Sequence, residues 1–216
     1  NYFGKEYFTL KDIFIEERRK ILQTMLKGKL QIFANTYESM YDEGKGSIYQ
    51  MQTLGLDIPK EFKISAQYVL TKQFNELFIE SRGFLDTDII QQASDLNFEA
   101  KRIGIEIDKE PTSKIFSKKI AQNINRLSYA LDLQQVDATL DLLDCIAKLE
   151  IKVDIAEAQS YYFSKIVANM EEIIQKISCQ ADRDLIVMLF EIGEDLNINM
   201  DYYRQMFNRA LVSAPV

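Results

Sequence analysis

Four short stretches of the chain share one outline: Leu56-Asp57-Ile58-Pro59, Ile105-Glu106-Ile107-Asp108, Ile151-Lys152-Val153-Asp154 and Ile198-Asn199-Met200-Asp201. Each runs apolar, polar, apolar, and then reaches a residue suited to opening a helix. In the third, the Asp154 carboxylate can accept from the orphan amides of the next helical turn. Glu157 follows at capping-box spacing, Val153 stands where an apolar residue can staple against the first turn, and Ile151 ends the helix before. Asp108 and Asp201 repeat the cap, while Pro59 suits a first turn because the amide it lacks would be unpaired there. The second apolar residue of each stretch falls at 58, 107, 153 and 200, at spacings of 49, 46 and 47 residues. A period of about 47 with two helices per unit lies at the long end of helical repeats. Helices of similar length in a chain without repeats would also give near-equal spacings. The ordered recurrence of cap chemistry favours a repeat.

The stretches between these elbows read as helices. Residues 1–14 form an aromatic lead-in with a helical turn near Thr9–Phe14. A long helix is expected from Ile15 to Asp42, with Leu22, Leu26, Leu30, Phe33, Tyr37 and Met40 or Tyr41 on one face. Gly28 weakens it by roughly 1 kcal/mol relative to alanine. Gly44-Lys45-Gly46-Ser47 reads as a break, and a short helix then ends at Leu54 with Gly55 as its stop. Further helices are expected from Pro59 to Glu80, from the cap Asp86 to Arg102 with Gly104 behind it, and from Asp108 to Leu131. Another follows the cap Asp132 along Leu133, Val136, Leu140, Leu143 and Ala147, and the next runs from Ile155 to Ile177. The apolar run Leu185–Phe190 could be a buried strand, but its continuation through Ile192 to Gly193 favours a helix. Tyr202–Leu211 closes the chain. The expected class is all-α, with about nine helices joined as antiparallel hairpins, either curved as a short solenoid or closed into an irregular bundle.

At 216 residues, 47% hydrophobic and 27% charged, the chain can bury a sizeable core and is not of disordered composition. A net charge of −7 without a long basic stripe argues against nucleic acid. Arg18-Arg19-Lys20 and Lys118-Lys119 sit beside helical acids and read as solvated faces. There is no apolar run of spanning length and no signal peptide, so no membrane partner is expected. Cys145 and Cys179 fall in predicted helices without metal-ligand spacing; as free buried thiols they fit a cytoplasmic, reducing compartment. The chain opens at Asn1 without a methionine. The expectation is a piece of a longer protein, with 1–14 leading in from an upstream domain. Residues 15–216 would form one all-helical domain with elbows near 56–59, 105–108, 151–154 and 198–201.

A chain with no histidine lacks the commonest general base and metal ligand. Carboxylates close in sequence remain: Asp86 with Asp88, Asp141 with Asp144, and Glu191 with Glu194 and Asp195. Neighbours on one helix cannot face each other across the roughly 5–10 Å that glycoside chemistry requires. They read as caps and solvated faces. No phosphate loop, nucleophile elbow or zinc spacing is present, so no catalytic, cofactor or metal residue is assigned. Tyr161-Tyr162-Phe163 and Tyr202-Tyr203 could stack on sugar rings. Adjacent helical residues point about 100° apart, however, so core packing is the simpler reading.

The opening Phe3-Gly4-Lys5-Glu6-Tyr7-Phe8-Thr9-Leu10-Lys11-Asp12-Ile13-Phe14, with Glu17-Arg18-Arg19-Lys20-Ile21-Leu22 after it, carries a resemblance. It resembles the start of a helical domain of unknown function that follows the catalytic region in a subset of glycoside hydrolase family 57 (alpha-amylase/alpha-mannosidase-like) proteins. The likeness continues through Tyr37 and Tyr41, Leu54-Gly55-Leu56 before Pro59, Ala66 to Leu70, and Val153-Asp154-Ile155-Ala156-Glu157-Ala158-Gln159-Ser160 with Tyr162. It covers most of residues 3–165. The chain departs from the pattern at Arg18, where glutamine is usual, and at Gly44-Lys45-Gly46, where a proline-containing junction is. It departs again at Ala156 for a frequent tryptophan and at Ser160 for asparagine.

The resemblance implies a parent glycosidase active on α-glucan or a related substrate, with its catalytic carboxylates on an upstream barrel outside this chain. The expected function is therefore a non-catalytic accessory domain whose partners are that upstream domain and, in second place, carbohydrate. Tyr7, Tyr37, Tyr41, Gln159 and Tyr162 are the candidate ligand or docking contacts. The alternative is a helical-repeat scaffold for a protein partner. A docking domain should expose one broad apolar patch, and a scaffold should expose a groove along its helices.

Overall fold

The computed structural model describes residues 15–81, 85–127, 132–176 and 179–213. It is all-α, and no strand occurs among the described residues. The helices are α1 (Ile15–Thr53), α2 (Lys60–Glu80), α3 (Thr87–Ile103), α4 (Glu110–Leu127), α5 (Leu133–Lys148), α6 (Ala156–Tyr161), α7 (Met170–Gln175), α8 (Gln180–Asp195) and α9 (Asp201–Ser213). Helices α6 and α7 are the two ends of one rod, joined by a π-helical turn (Tyr162–Ile166) and a 3-10 turn (Val167–Asn169). The lead-in 1–14 with its turn near Thr9, and the expected helix ends at Leu131 and Ile177, lie outside the described residues.

The elbows share a backbone motif as well as a sequence outline. Gly55, Gly104, Glu150 and Asn197 each adopt a left-handed conformation, with φ of 66°, 75°, 54° and 57°. In the first, third and fourth elbows the next residue's amide (Leu56, Ile151, Ile198) donates to the carbonyl five residues back (Met51, Ile146, Gly193) at 2.8–3.0 Å. The left-handed residue's own amide donates three residues back. This double bond pattern satisfies carbonyls that a helix end leaves open. On the far side, Asp108 accepts from the Glu110 amide at 2.9 Å and Asp154 from the Ala156 amide at 3.0 Å.

Two expected caps differ. Asp201 is the first residue of α9, and its amide donates to Asn199 Oδ1 at 2.8 Å, so Asn199 is the acceptor there. Glu157 does not close a capping box: it accepts from the Tyr161 hydroxyl, while the Asp154 amide donates to Ser117 Oγ at 2.9 Å. A nearby hydroxyl on a packed helix outcompetes a carboxylate three residues on.

The expected break at Gly44–Ser47 is absent, and α1 is one 39-residue helix. Gly44 serves a close approach instead. A Cβ there would lie 2.6 Å from Phe62 Cε1 and 2.7 Å from Cδ1. The stripe expected on α5 is rotated: Leu133 and Ala147 are exposed, and the buried face runs through Val136, Thr139, Leu142, Leu143 and Ile146. The threonine can be buried because its hydroxyl donates to Gln135 O at 2.7 Å.

The chain divides into two compact units. One takes the described residues to Val69 together with Arg102–Ile105, and buries Ala34, Tyr41 and Ile48 of α1. The other takes Leu70–Lys101 and the chain from Glu106 on. Its core recurs in register: Phe74, Ile120 and Ile166 are buried at 46-residue intervals, as are Phe78, Ile124 and Met170. In the following helices Thr139 and Ile186, Leu143 and Phe190, and Leu149 and Leu196 are buried 47 apart.

Candidate functional site

The polar groups of the second unit converge on the elbows. Thr71 on α2 accepts from the Asp108 amide at 3.2 Å, and Asn75, one turn on, donates to the Asp108 carbonyl at 2.7 Å. Forty-six residues later Ser117 on α4 does for Asp154 what Thr71 does for Asp108, and Ser113 Oγ donates to the Lys152 carbonyl. The Leu149 carbonyl accepts from Asn97 at 3.1 Å and Lys109 at 2.7 Å; that of Leu196 accepts from Gln159 at 2.7 Å. Burial holds the Lys109 ammonium below its ordinary pKa, with Glu150 opposing. These groups latch the second, third and fourth elbows to neighbouring segments.

Beside the third elbow, α4 and α6 enclose an open groove of about 680 Å³ lined by Glu110, Lys114, Lys118, Gln122, Glu157 and Tyr161, among others. Lys114 pairs with Glu110 at 2.6 Å, and this hydrogen bond and charge raise its pKa. The mixture of signs suits hydrogen bonding to a polar ligand. A second cavity of about 570 Å³ is lined by Lys119, Asp141, Asp144, Cys145 and Lys148. Burial pushes the Cys145 thiol up to about 11, which makes it a poor nucleophile. Cys179 is not inside a helix as expected: it is exposed at the N-cap of α8, where its amide donates to Asp182.

The neighbouring carboxylates act locally. Asp86 takes the Asp88 amide at 3.5 Å, and Glu194 pairs with Arg204 at 2.8 Å. The Asp195 carboxyl is raised by burial first and then by Asp144, Glu191 and Glu194. Among the described residues no group of three or more Asp, Glu or Cys is placed to hold a metal ion.

Of the candidate contacts, Tyr37 and Tyr41 belong to the first unit and Gln159 and Tyr162 to the second. Tyr7 lies outside the described residues. Tyr37 is half-buried with its ring 4.9 Å from that of Tyr68, and Tyr41 is buried, with the Lys45 ammonium 5.3 Å from its ring centre. Gln159 holds the fourth elbow. Tyr162 is fully buried, its hydroxyl donates to Leu189 O, and burial raises its phenol pKa. Neither buried ring presents a face to a ligand.

The conspicuous surface is on α1. Leu22, Met25, Leu26, Leu30, Ile32 and Phe33 are 42–64% exposed, although Leu22, Leu26, Leu30 and Phe33 continue the face that carries the buried Tyr41 and Ile48. Sequence periodicity found the stripe but could not tell its covered half from its open half. Comparison of the chain with protein-family models, curated proteins and solved structures finds no match. No helix among the described residues is long and apolar enough to cross a membrane.

Proposed function

We propose that the chain is a non-catalytic accessory domain that packs on the catalytic barrel of a family-57-like glycoside hydrolase. One observation carries the non-catalytic part: in the second unit a set of hydroxyl, carboxylate and amide side chains is taken up in bonds to backbone at the elbows. Thr71, Ser117, Asp108, Asp154, Asn199 and Gln159 all serve the frame. The sequence resemblance supplies the enzyme. Within this reading, contact with α-glucan falls to the polar groove between α4 and α6. The test is release of reducing sugar from starch or glycogen. The 216-residue chain alone should release none, and the native gene product, with sequence upstream of Asn1, should. Activity of the chain alone would sink the non-catalytic reading, and a native product without glycosidase motifs would remove the barrel.

A second reading, a helical-repeat scaffold for a protein partner, draws on the groove of about 430 Å³ between α2 and α3. Its rim carries Glu76, Glu80, Asp95 and Glu99, and its floor Leu77 and Leu96, which would suit a basic partner segment. Salt-sensitive binding of a lysine-rich amphipathic peptide, lost on reversing Glu76 and Glu80, would support it, and no binding at low salt would reject it.

A further inference from the structure

The second half of α1 carries the pattern of a repeat's second helix. Tyr41, Gly44 and Ile48 stand 49 residues before Ile90, Ala93 and Asn97 of α3, the spacing of the first two elbows. The first half carries the pattern of a repeat's first helix. Leu22, Met25, Leu26, Leu30 and Ala34 stand 44 residues before Ala66, Val69, Leu70, Phe74 and Phe78, all five of which are buried. What α1 lacks is the turn between the two. From Phe78 to Ala93, Ile124 to Thr139 and Met170 to Ile186 the chain takes 15, 15 and 16 residues, but from Ala34 to Gly44 it takes 10. A hairpin cannot close without those residues, so the helix runs straight through. The first half is carried away from the surface that its counterparts cover, which accounts for its open stripe.

We propose that α1 is an opened hairpin and that its first half packs on the second half of α1 in another copy of this chain, giving a two-fold exchanged dimer. A hinge too short to fold back is the ordinary origin of such an exchange. Charge fits the same arrangement. The first half carries Arg18, Arg19, Lys20, Lys27 and Lys29 against Glu16 and Glu17, a net charge of +3, and the second carries Glu38, Asp42 and Glu43 against Lys45, a net charge of −2. Antiparallel pairing sets the cationic half of one helix along the acidic half of the other, and a stripe facing water becomes buried. The dimer does not depend on the glycosidase reading.

The test is sedimentation equilibrium of the 216-residue chain, which should run at twice its 25.1 kDa. Insertion of the turn Asp-Gly-Asn-Pro-Ser between Thr36 and Tyr37 should let the hairpin close and return a monomer. A thiol introduced by Leu26→Cys in a Cys179→Ser background should resist maleimide in both forms. A chain monomeric at every concentration, or an insertion variant that folds and stays dimeric, would overturn the proposal. If the insertion variant does not fold, Leu26→Asp with Leu30→Asp decides. Both positions face water in the single chain, so the variant should keep its helicity and be monomeric, and a dimer would count against the exchange.

Discussion

Replacing Gly193 by alanine sets two opposed effects against each other at one site. Gly193 lies in α8, where alanine is favoured over glycine by about 1 kcal/mol. A Cβ there would meet Met200 Cγ and Sδ at 2.8 Å and Tyr162 Cε1 at 3.3 Å. Met200 is a fourth-elbow residue, 1% exposed, and Tyr162 is pinned through its hydroxyl to Leu189 O. Neither can retreat without opening the core, and overpacking of this kind costs roughly 1–3 kcal/mol. The net expectation is a loss of about 0–2 kcal/mol. Gly28 and Gly46 are also helical but would meet nothing within 4 Å, so alanine at either should add about 0.5–1 kcal/mol. Gly44 falls between, because the ring it admits belongs to half-buried Phe62 and can swing aside. Urea unfolding followed by far-ultraviolet circular dichroism should therefore rank Gly28→Ala and Gly46→Ala above the parent chain, Gly44→Ala near it and Gly193→Ala below. A Gly193→Ala chain stabilised as much as Gly28→Ala would refute the close packing of the fourth elbow on α8.

Three further outcomes are expected. Ser117→Ala should cost about 1 kcal/mol and speed hydrogen exchange at the Asp154 amide, with Thr71→Val doing the same for Asp108; unchanged exchange would mean that the hydroxyls do not latch the elbows. Under native conditions an aromatic disulfide reagent should modify exposed Cys179 promptly and Cys145 only on unfolding, and equal rates would contradict the burial that raises Cys145. Asp195→Asn should raise the unfolding midpoint at neutral pH. A carboxyl raised in the fold binds its proton more tightly there than in the unfolded chain, so its charged form lowers stability as pH rises through that interval. The advantage of the variant should fade on acidification, and an advantage that grows would reverse the sign of the argument.

The elbows were legible in the sequence because capping and left-handed helix ends are local chemistry, settled within about six residues. The α4 stripe Phe116, Ile120, Ile124 and Leu127 was legible from its period, whereas the α5 stripe came out rotated and the α1 stripe half uncovered. Errors arose where a distant residue decided. Gly44 looked like a break because nothing nearby announces Phe62, and Glu157 looked like a capping partner because Ser117 lies 37 residues before Asp154. Asp201 looked like a cap because the fourth elbow was read in the register of the third. Among the candidate contacts, Tyr162 and Tyr41 follow the apolar period of their helices, and a tyrosine there is equally consistent with a core position or a ligand face. Only tertiary packing separates the two.

The in-register core has a consequence for length tolerance. Phe116 and Tyr162, Ile120 and Ile166, and Ile124 and Met170 are buried 46 residues apart, so the π-helical turn at Tyr162–Ile166 leaves the step of the core unchanged. The step becomes 47 only past Met170, because the chain takes 16 residues from Met170 to Ile186 where it takes 15 from Ile124 to Thr139. Phe190 and Leu196 then keep the new step from Leu143 and Leu149. A change of length is thus confined to the stretch between two core segments, and a residue can be gained there while the packing on either side keeps its own phase.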